Sequence, residues 1–563
     1  MSTVRCHSTR AGSLYSGRAF HILLLVLGVA VAAGCNKQPD RQVLASIGKY
    51  EVTDRHFQNA FRNYYNKTGQ AIPVNELTLK AVLDGELERY TVVTWAEDRG
   101  WDKDEAGTRQ KALIERQVYM QEYERIILHR GVGTDEDDLH ELFRRYNSRV
   151  RASHLYASDR LTADSLYARL QNGEDFDALA SEVFTNKHLR ENGGDLGFFT
   201  VDEMDPAFEN VAFRMQPGEI SPPVRTNQGY SIIKVTDIVT KPIVTETEFA
   251  NRRAALSDYA LQRNREMATR RDLENLTNEI EVDDQLIDRL FQAMRSNPEG
   301  SRFETGMPDG TVIARLRGHE LTLGDFKSEA ALLADWRFAS TKALREIVDG
   351  IAYRSYAIEQ IRNHPEFDAD FAAQTVQATF HEWLIGRFNE HLDQEVIIPE
   401  AQLRQMYDSN PEFRISPIEL NVGELVTSSK SDALESIRLL KSGAAFKEVL
   451  IQYGVMGEAL LYDGELGFRP IDSFGRFAPD LRDAKAGDVV GPLEYTPDRW
   501  IVYQCIGRRE PGPLKFDDAK QSLMQIRKAD EVKKLRNAII DETKQAHGAK
   551  ADYEKMKTVT ITI

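Results

Sequence analysis

The sequence predicts a multidomain α+β chain in which a helical region followed by a mixed strand-and-helix module occurs twice in tandem. Three observations carry this expectation. A chain of 563 residues is too long for one hydrophobic core. Short motifs recur at an offset of about 270 residues along its length. Each copy also runs through the same order: a short strand-like segment, a helical region, a strand–helix–loop–strand module, a long charged helix and a β-prone tail.

The recurrences are specific. Val43–Phe57 lines up with Val312–Phe326, and Val82–Gly85 with Ile347–Gly350. Gly173 and Phe176 return as Gly443 and Phe446. Gly194-Asp-Leu-Gly-Phe198 returns as Gly464-Glu-Leu-Gly-Phe468, and Gly218–Val224 as Gly487–Leu493. A constant offset across five segments is not a chance pattern, so a duplication organises the chain.

Taken in order, residues 1–34 have the form of a secretory signal. A basic, Ser-rich start leads into the apolar run His21–Gly34, which is too short to span a membrane as a mature helix. Ala32-Ala33-Gly34-Cys35 resembles a lipobox, with Ala32 where Leu, Val or Ile is usual, so Cys35 is expected to be lipidated. Residues 35–42 then form a polar tether. Residues 43–147 are the first helical region: Tyr119, Tyr123, Ile126 and Ile127 keep the 3–4 spacing of an amphipathic helix. Thr134 is expected to cap a helix burying Leu139, Leu142, Phe143 and Tyr146.

Residues 148–242 are the first mixed module, with a helix expected over Thr162–Leu170. A connecting helix and strand occupy 243–302, the helix near 246–277 and the strand at Ile280–Val282. The second helical region covers 303–411, its last helix following Pro399 with Leu403, Met406 and Tyr407 inward. The second module covers 412–510. Residues 511–563 hold a helix near 516–546 and a β-prone tail, Thr558–Ile563.

Composition excludes several classes. A net charge of -16 repels phosphate backbones, so nucleic acid is not an expected partner. Of three cysteines, Cys6 would leave with the signal and Cys35 would carry lipid. Cys505, on a strand, is then left without a disulfide partner. No zinc-type Cys/His spacing, phosphate-binding Gly-rich loop or nucleophile elbow occurs, so neither metal nor cofactor is expected.

The first module carries one histidine on an apolar strand, Arg151–Tyr156. Then come Gly193–Phe199, Met204–Phe208, Gly218–Thr226 and Gly229–Val235. In this order and spacing, the set closely resembles the parvulin family of peptidyl-prolyl cis-trans isomerases. The wider layout is similar to SurA-like periplasmic chaperones and to lipid-anchored PrsA-type foldases.

Isomerisation rotates an X–Pro amide over a barrier of ~18–20 kcal/mol and needs no covalent intermediate. A water-poor pocket that grips the proline ring and favours the twisted amide suffices. The resemblance implies that Leu196, Met204 and Phe208 form this pocket, with His154 as the first histidine and Thr226 as the hydroxyl. It also implies departures. Ser231 stands at the second histidine position. The Cys or Asp position falls at Lys187, or at Asn186 with a loop one residue longer. A lysine there would disfavour an imidazolium at His154.

An intact pocket with weak or moderate activity is therefore expected in the first module. The second is further degraded: Glu424 replaces His154, Trp500 is read as replacing the second histidine, and Phe477 is the remaining candidate aromatic.

The resemblance implies an extracytoplasmic isomerase acting on unfolded or nascent exported polypeptides with X–Pro bonds. A lipid anchor would hold it, in the outer membrane of a two-membrane cell. Two further readings are a non-catalytic holdase or assembly factor using both modules to bind peptide, and a scaffold subunit of an envelope complex.

Overall fold

A computed structural model describes residues 42–67, 73–240, 245–296, 305–332, 340–454, 465–496 and 499–561. The expected signal, the lipidation site Cys35 and all but the last residue of the tether lie outside these residues. No helix among the described residues is long and apolar enough to cross a membrane.

The first copy opens with the hairpin β1 (Val43–Ile47) and β2 (Tyr50–Thr53). Helices α1 (Asp54–Lys67), α2 (Glu76–Asp98) and α3 (Glu105–Tyr123) follow, and α3 runs into one π-helical turn, Glu124–Leu128. Next comes α4 (Glu136–Tyr146). Its cap is Asp135 and not Thr134: the Asp135 carboxylate accepts the Asp138 amide at 2.8 Å. An anion at a helix start also meets the positive end of the macrodipole.

The first module comprises β3 (Ser148–Ala157), α5 (Arg160–Gln171), α6 (Phe176–Val183), α7 (Lys187–Glu191), β4 (Asp195–Phe199), α8 (Pro206–Ala212), β5 (Val224–Thr226) and β6 (Gly229–Thr240). Its antiparallel sheet runs β4-β3-β6-β5. Strand alternation gives the sheet two faces. Leu155, Ala157 and Ile232 pack under α5 and α6. Val150, Ala152, Ile233 and Val235 pack with Phe199 and Phe208 on the other face. The 33-residue helix α9 (Glu246–Asn278) follows, its first turn closed by a Thr245–Glu248 capping box.

The second copy repeats this plan. β7 (Glu281–Val282) and α10 (Asp284–Ser296) lead to the hairpin β8 (Val312–Leu316) and β9 (His319–Thr322). Helices α11 (Leu323–Ala330), α12 (Thr341–Arg362), α13 (Ala369–Glu395) and α14 (Glu400–Ser409) follow. The second module contains β10 (Glu419–Thr427), α15 (Lys430–Lys441), α16 (Phe446–Tyr453), β11 (Glu465–Pro470), β12 (Val489–Thr496) and β13 (Arg499–Arg509). Its order, β11-β10-β13-β12, matches the first. Cys505 is buried in β13.

After a last long helix, Phe516–Ala546, the tail differs from expectation. Its strand is β14, Lys550–Ala551, followed by a short helix, Tyr553–Lys557. Asp552 caps that helix by accepting the Lys555 amide at 3.0 Å. Val559 and Ile561 then pack against the Phe57–Phe61 core instead of joining a ladder.

The helical regions of the two copies are not separate bodies. Val92, Trp95, Ile114 and Val118 of the first share one core with Phe380, Leu384, Phe388 and Leu392 of the second. The Trp95 and Phe388 rings lie 4.9 Å apart. Strand pairing crosses between copies as well. β7, which follows the first module, completes the hairpin of the second copy through Glu281↔Arg315 and Val282↔Ala314. β14, which follows the second module, completes the hairpin of the first through Ala45↔Ala551 and Ser46↔Lys550. The duplication is folded as a reciprocal exchange.

Candidate active site

In the first module the expected site residues lie on the sheet face that carries Ala152, Ile233 and Val235. His154 pairs with Ile233 across β3 and β6, and Ser231 lies two residues along β6 on the same face. The His154 Nδ1 and the Ser231 hydroxyl are 3.5 Å apart. Phe184 lies beside the imidazole at 5.1 Å, and Phe208 meets it edge-on at 6.2 Å. Phe208 thus lies beside the expected histidine, and Leu196 and Met204 pack against the cluster that contains Phe208.

Burial lowers the His154 pKa to about 4, so the ring is neutral at physiological pH. A neutral imidazole among aromatic rings is an apolar wall with one polar edge. That suits a rotating amide, which loses resonance and needs little charge.

The other expected polar residues sit differently. Thr226 is buried at the β5–β6 turn and donates its hydroxyl to the Gly229 carbonyl at 3.2 Å. Lys187 is exposed on the first turn of α7, because Asn186 caps that helix and accepts the His188 and Leu189 amides. Burial alone, with no lysine charge, lowers the His154 pKa.

Sequence reasoning missed a carboxylate behind the cleft. Glu209, one residue after Phe208, is 0% exposed. One of its oxygens accepts the Glu203 amide at 3.2 Å and the Met204 amide at 3.1 Å. The other meets Arg263 of α9 at 3.3 Å. Burial lifts its pKa to about 7 against the pull of those donors. Asp205 caps α8 and also accepts the Asn227 amide at 2.9 Å. The Asp205–Arg270 pair keeps the Asp205 carboxyl below its ordinary range even though burial opposes this.

The corresponding described residues of the second module differ. Glu424 stands at the His154 position, opposite Tyr503, whose hydroxyl hydrogen-bonds it. Register corrects the other assignment. Trp500 pairs with Thr427 as Tyr230 pairs with Ala157, and Ile501 pairs with Val426 as Ser231 pairs with Tyr156. Ile501, not Trp500, therefore occupies the second histidine position. Phe477 lies 6.1 Å from the Tyr503 ring.

Comparison with known proteins agrees with this geometry. The description PPIC-type PPIase domain matches residues 156–237, and a second description of the same type matches residues 398–521. Foldase protein PrsA of Oceanobacillus iheyensis is 31% identical over 228 residues, covering 38% of this chain and 74% of that protein. The chain belongs to the PPIC-type peptidyl-prolyl isomerase family.

PrsA of a Geobacillus species is 28% identical over 230 residues, covering 39% of this isomerase and 80% of that foldase. A solved PrsA from Bacillus anthracis matches at 22% identity over 40% of this chain and 90% of that one, with a TM-score of 0.21. The two foldases are each matched by about two fifths of this isomerase.

Proposed function

We propose that this isomerase is an extracytoplasmic folding factor whose catalysis resides in the first module. Its substrates would be the X–Pro bonds of unfolded exported polypeptides. The observation that carries this reading is the contact of His154 with Phe208, with Leu196 and Met204 packed against the same cluster, against Glu424 and Ile501 at the corresponding positions of the second module. In this reading Leu196, Met204 and Phe208 seat the proline ring. His154 and Ser231 line the path of the rotating carbonyl, and Thr226 holds the turn beside it. Lys187, exposed on α7, has no part in the chemistry.

The kinship with PrsA foldases supports the assignment to folding assistance outside the cytoplasm. Lipidation at Cys35 and anchoring in the outer membrane belong to the same proposal and rest on the lipobox-like Ala32–Cys35. The division into modules at 148–242 and 412–510 belongs to it too, with the two helical regions acting as one client-holding body.

The test is a protease-coupled or NMR-exchange assay on lipid-free protein with proline tetrapeptides, beside Phe208→Ala and His154→Ala. Turnover lost in Phe208→Ala is the expected result. The absence of a second histidine favours one other reading, a holdase that binds peptide without catalysis. A parent without turnover that still suppresses client aggregation would establish that reading instead.

A further inference from the structure

The side chains that fix the cleft from behind come from a helix outside the module. Arg263 and Arg270 lie on α9, two turns apart, and both reach the segment that carries Met204 and Phe208. Arg263 meets the Glu209 carboxylate at 3.3 Å, the Asn210 side chain at 2.6 Å and the Pro206 carbonyl at 3.1 Å. Arg270 forms a two-pronged pair with Asp205, at 2.9 and 3.1 Å. Asp205 in turn holds the Asn227 amide, next to Thr226. Both arginines are largely buried, Arg263 at 9% and Arg270 at 11% side-chain exposure. Charge pairs removed from water in this way fix geometry at the cost of desolvation.

The far end of α9 is fastened elsewhere. Asp272 accepts the hydroxyls of Tyr123 and Tyr353, both at 3.1 Å, from helices of the first and second copy respectively. Leu276 enters the core that those helices share. One rigid helix thus joins the seat of Phe208 to the interlocked helical body. In the second module Ala478 follows Phe477 where Glu209 follows Phe208, so the carboxylate that receives Arg263 is missing from the module that also lacks the histidine.

We infer that Arg263 and Arg270 are positioning residues for the proline pocket, holding the Met204–Phe208 segment from α9 and tying its geometry to the helical body. This rests on the proposed assignment of the pocket to the first module. The clamp seats the ring in ground and transition states alike, so its loss should weaken binding while leaving the chemical step intact.

The experiment uses the full chain with Arg270→Met, Arg263→Met and Arg263→Lys, and with Arg253→Met as a control on the same helix. Arg253 pairs with Glu136 on α4. KM for a proline tetrapeptide is expected to rise about fivefold or more in the two methionine variants, with kcat within about twofold at temperatures where they stay folded, and with a lowered melting temperature because a buried carboxylate loses its partner. Arg263→Lys is expected to recover part of the loss, and Arg253→Met to behave as the parent.

A fall in kcat at constant KM would indicate only a smaller folded fraction and would overturn the inference. A parent without turnover would defeat the catalytic reading instead. The same variants are then titrated with the peptide by NMR, where about a fivefold loss of affinity is expected and parental affinity in Arg270→Met overturns the clamp.

Discussion

His154 is the residue at which burial and function meet. With its pKa near 4 in the fold, it stays neutral from pH 5.5 upward, and kcat is expected to be flat between about pH 5.5 and 8, while KM rises as Glu209 takes up a proton below about 7 and its pair with Arg263 weakens. A bell-shaped profile centred near pH 6.5 would show a charged imidazole in the mechanism. Stability follows the opposite logic. An unfolded His154 takes up a proton below about pH 6.5, while the folded one resists until about 4. Its contribution is therefore present above that window and is lost as pH falls through it.

Glu209 runs the other way. Its pKa is raised to about 7, so its contribution is present at low pH and is lost as pH rises toward neutrality. The parent shows the sum of the two, and His154→Gln isolates the second. In amide exchange of the first module, the two contributions nearly cancel in the parent between pH 7 and 5, and the variant is expected to gain protection over the same range by on the order of 2 kcal/mol. That Leu196, Met204 and Phe208 share one cluster was legible because their spacing along one short stretch is itself the signal. Glu209 was not, since its meaning depends on Arg263, which the chain supplies 54 residues later. Lys187 is exposed on α7, and Asn186, the alternative for the same position, caps that helix.

At the scale of elements, the cleft depends on a tight approach between the β4 loop and β3. Gly194 has a φ of +73°, and a Cβ added there would lie 2.3 Å from the His154 carbonyl oxygen. Gly194→Ala must shift the backbone of the strand that carries the histidine, in a conformation that L-residues avoid. A loss of about 2 kcal/mol or more is expected in thermal or denaturant unfolding of the module, with peptide binding weakened at temperatures where it remains folded. Parental stability would mean that the loop has room to move. Long helices were readable from charge and periodicity, and α9 begins at the expected residue. The Thr134 cap was misassigned because two adjacent residues both have capping side chains, and only backbone geometry chooses between them.

At the scale of the whole molecule, the duplication was legible but its exchange was not. A repeat offset reports that two segments are alike and says nothing about which copy of a tail meets which hairpin. The exchange makes a directional prediction. Removing residues 548–563 takes away β14 and the helix Tyr553–Lys557, whose Met556 packs with Phe57 and Phe61. Amide protection is expected to fall in β1 and β2, some 500 residues away in sequence, while β8 and β9 keep theirs through β7. Equal loss in both hairpins would mean that the two sheets unfold as one unit.

That pairing of the first strand with the last has a consequence for biosynthesis. The hairpin that is made first must wait, with one edge unpaired, until nearly all of the polypeptide has been delivered. A chain cut short before Lys550 lacks the strand that pairs with Ala45 and Ser46. A product that stops before β14 therefore presents an open strand edge at β1.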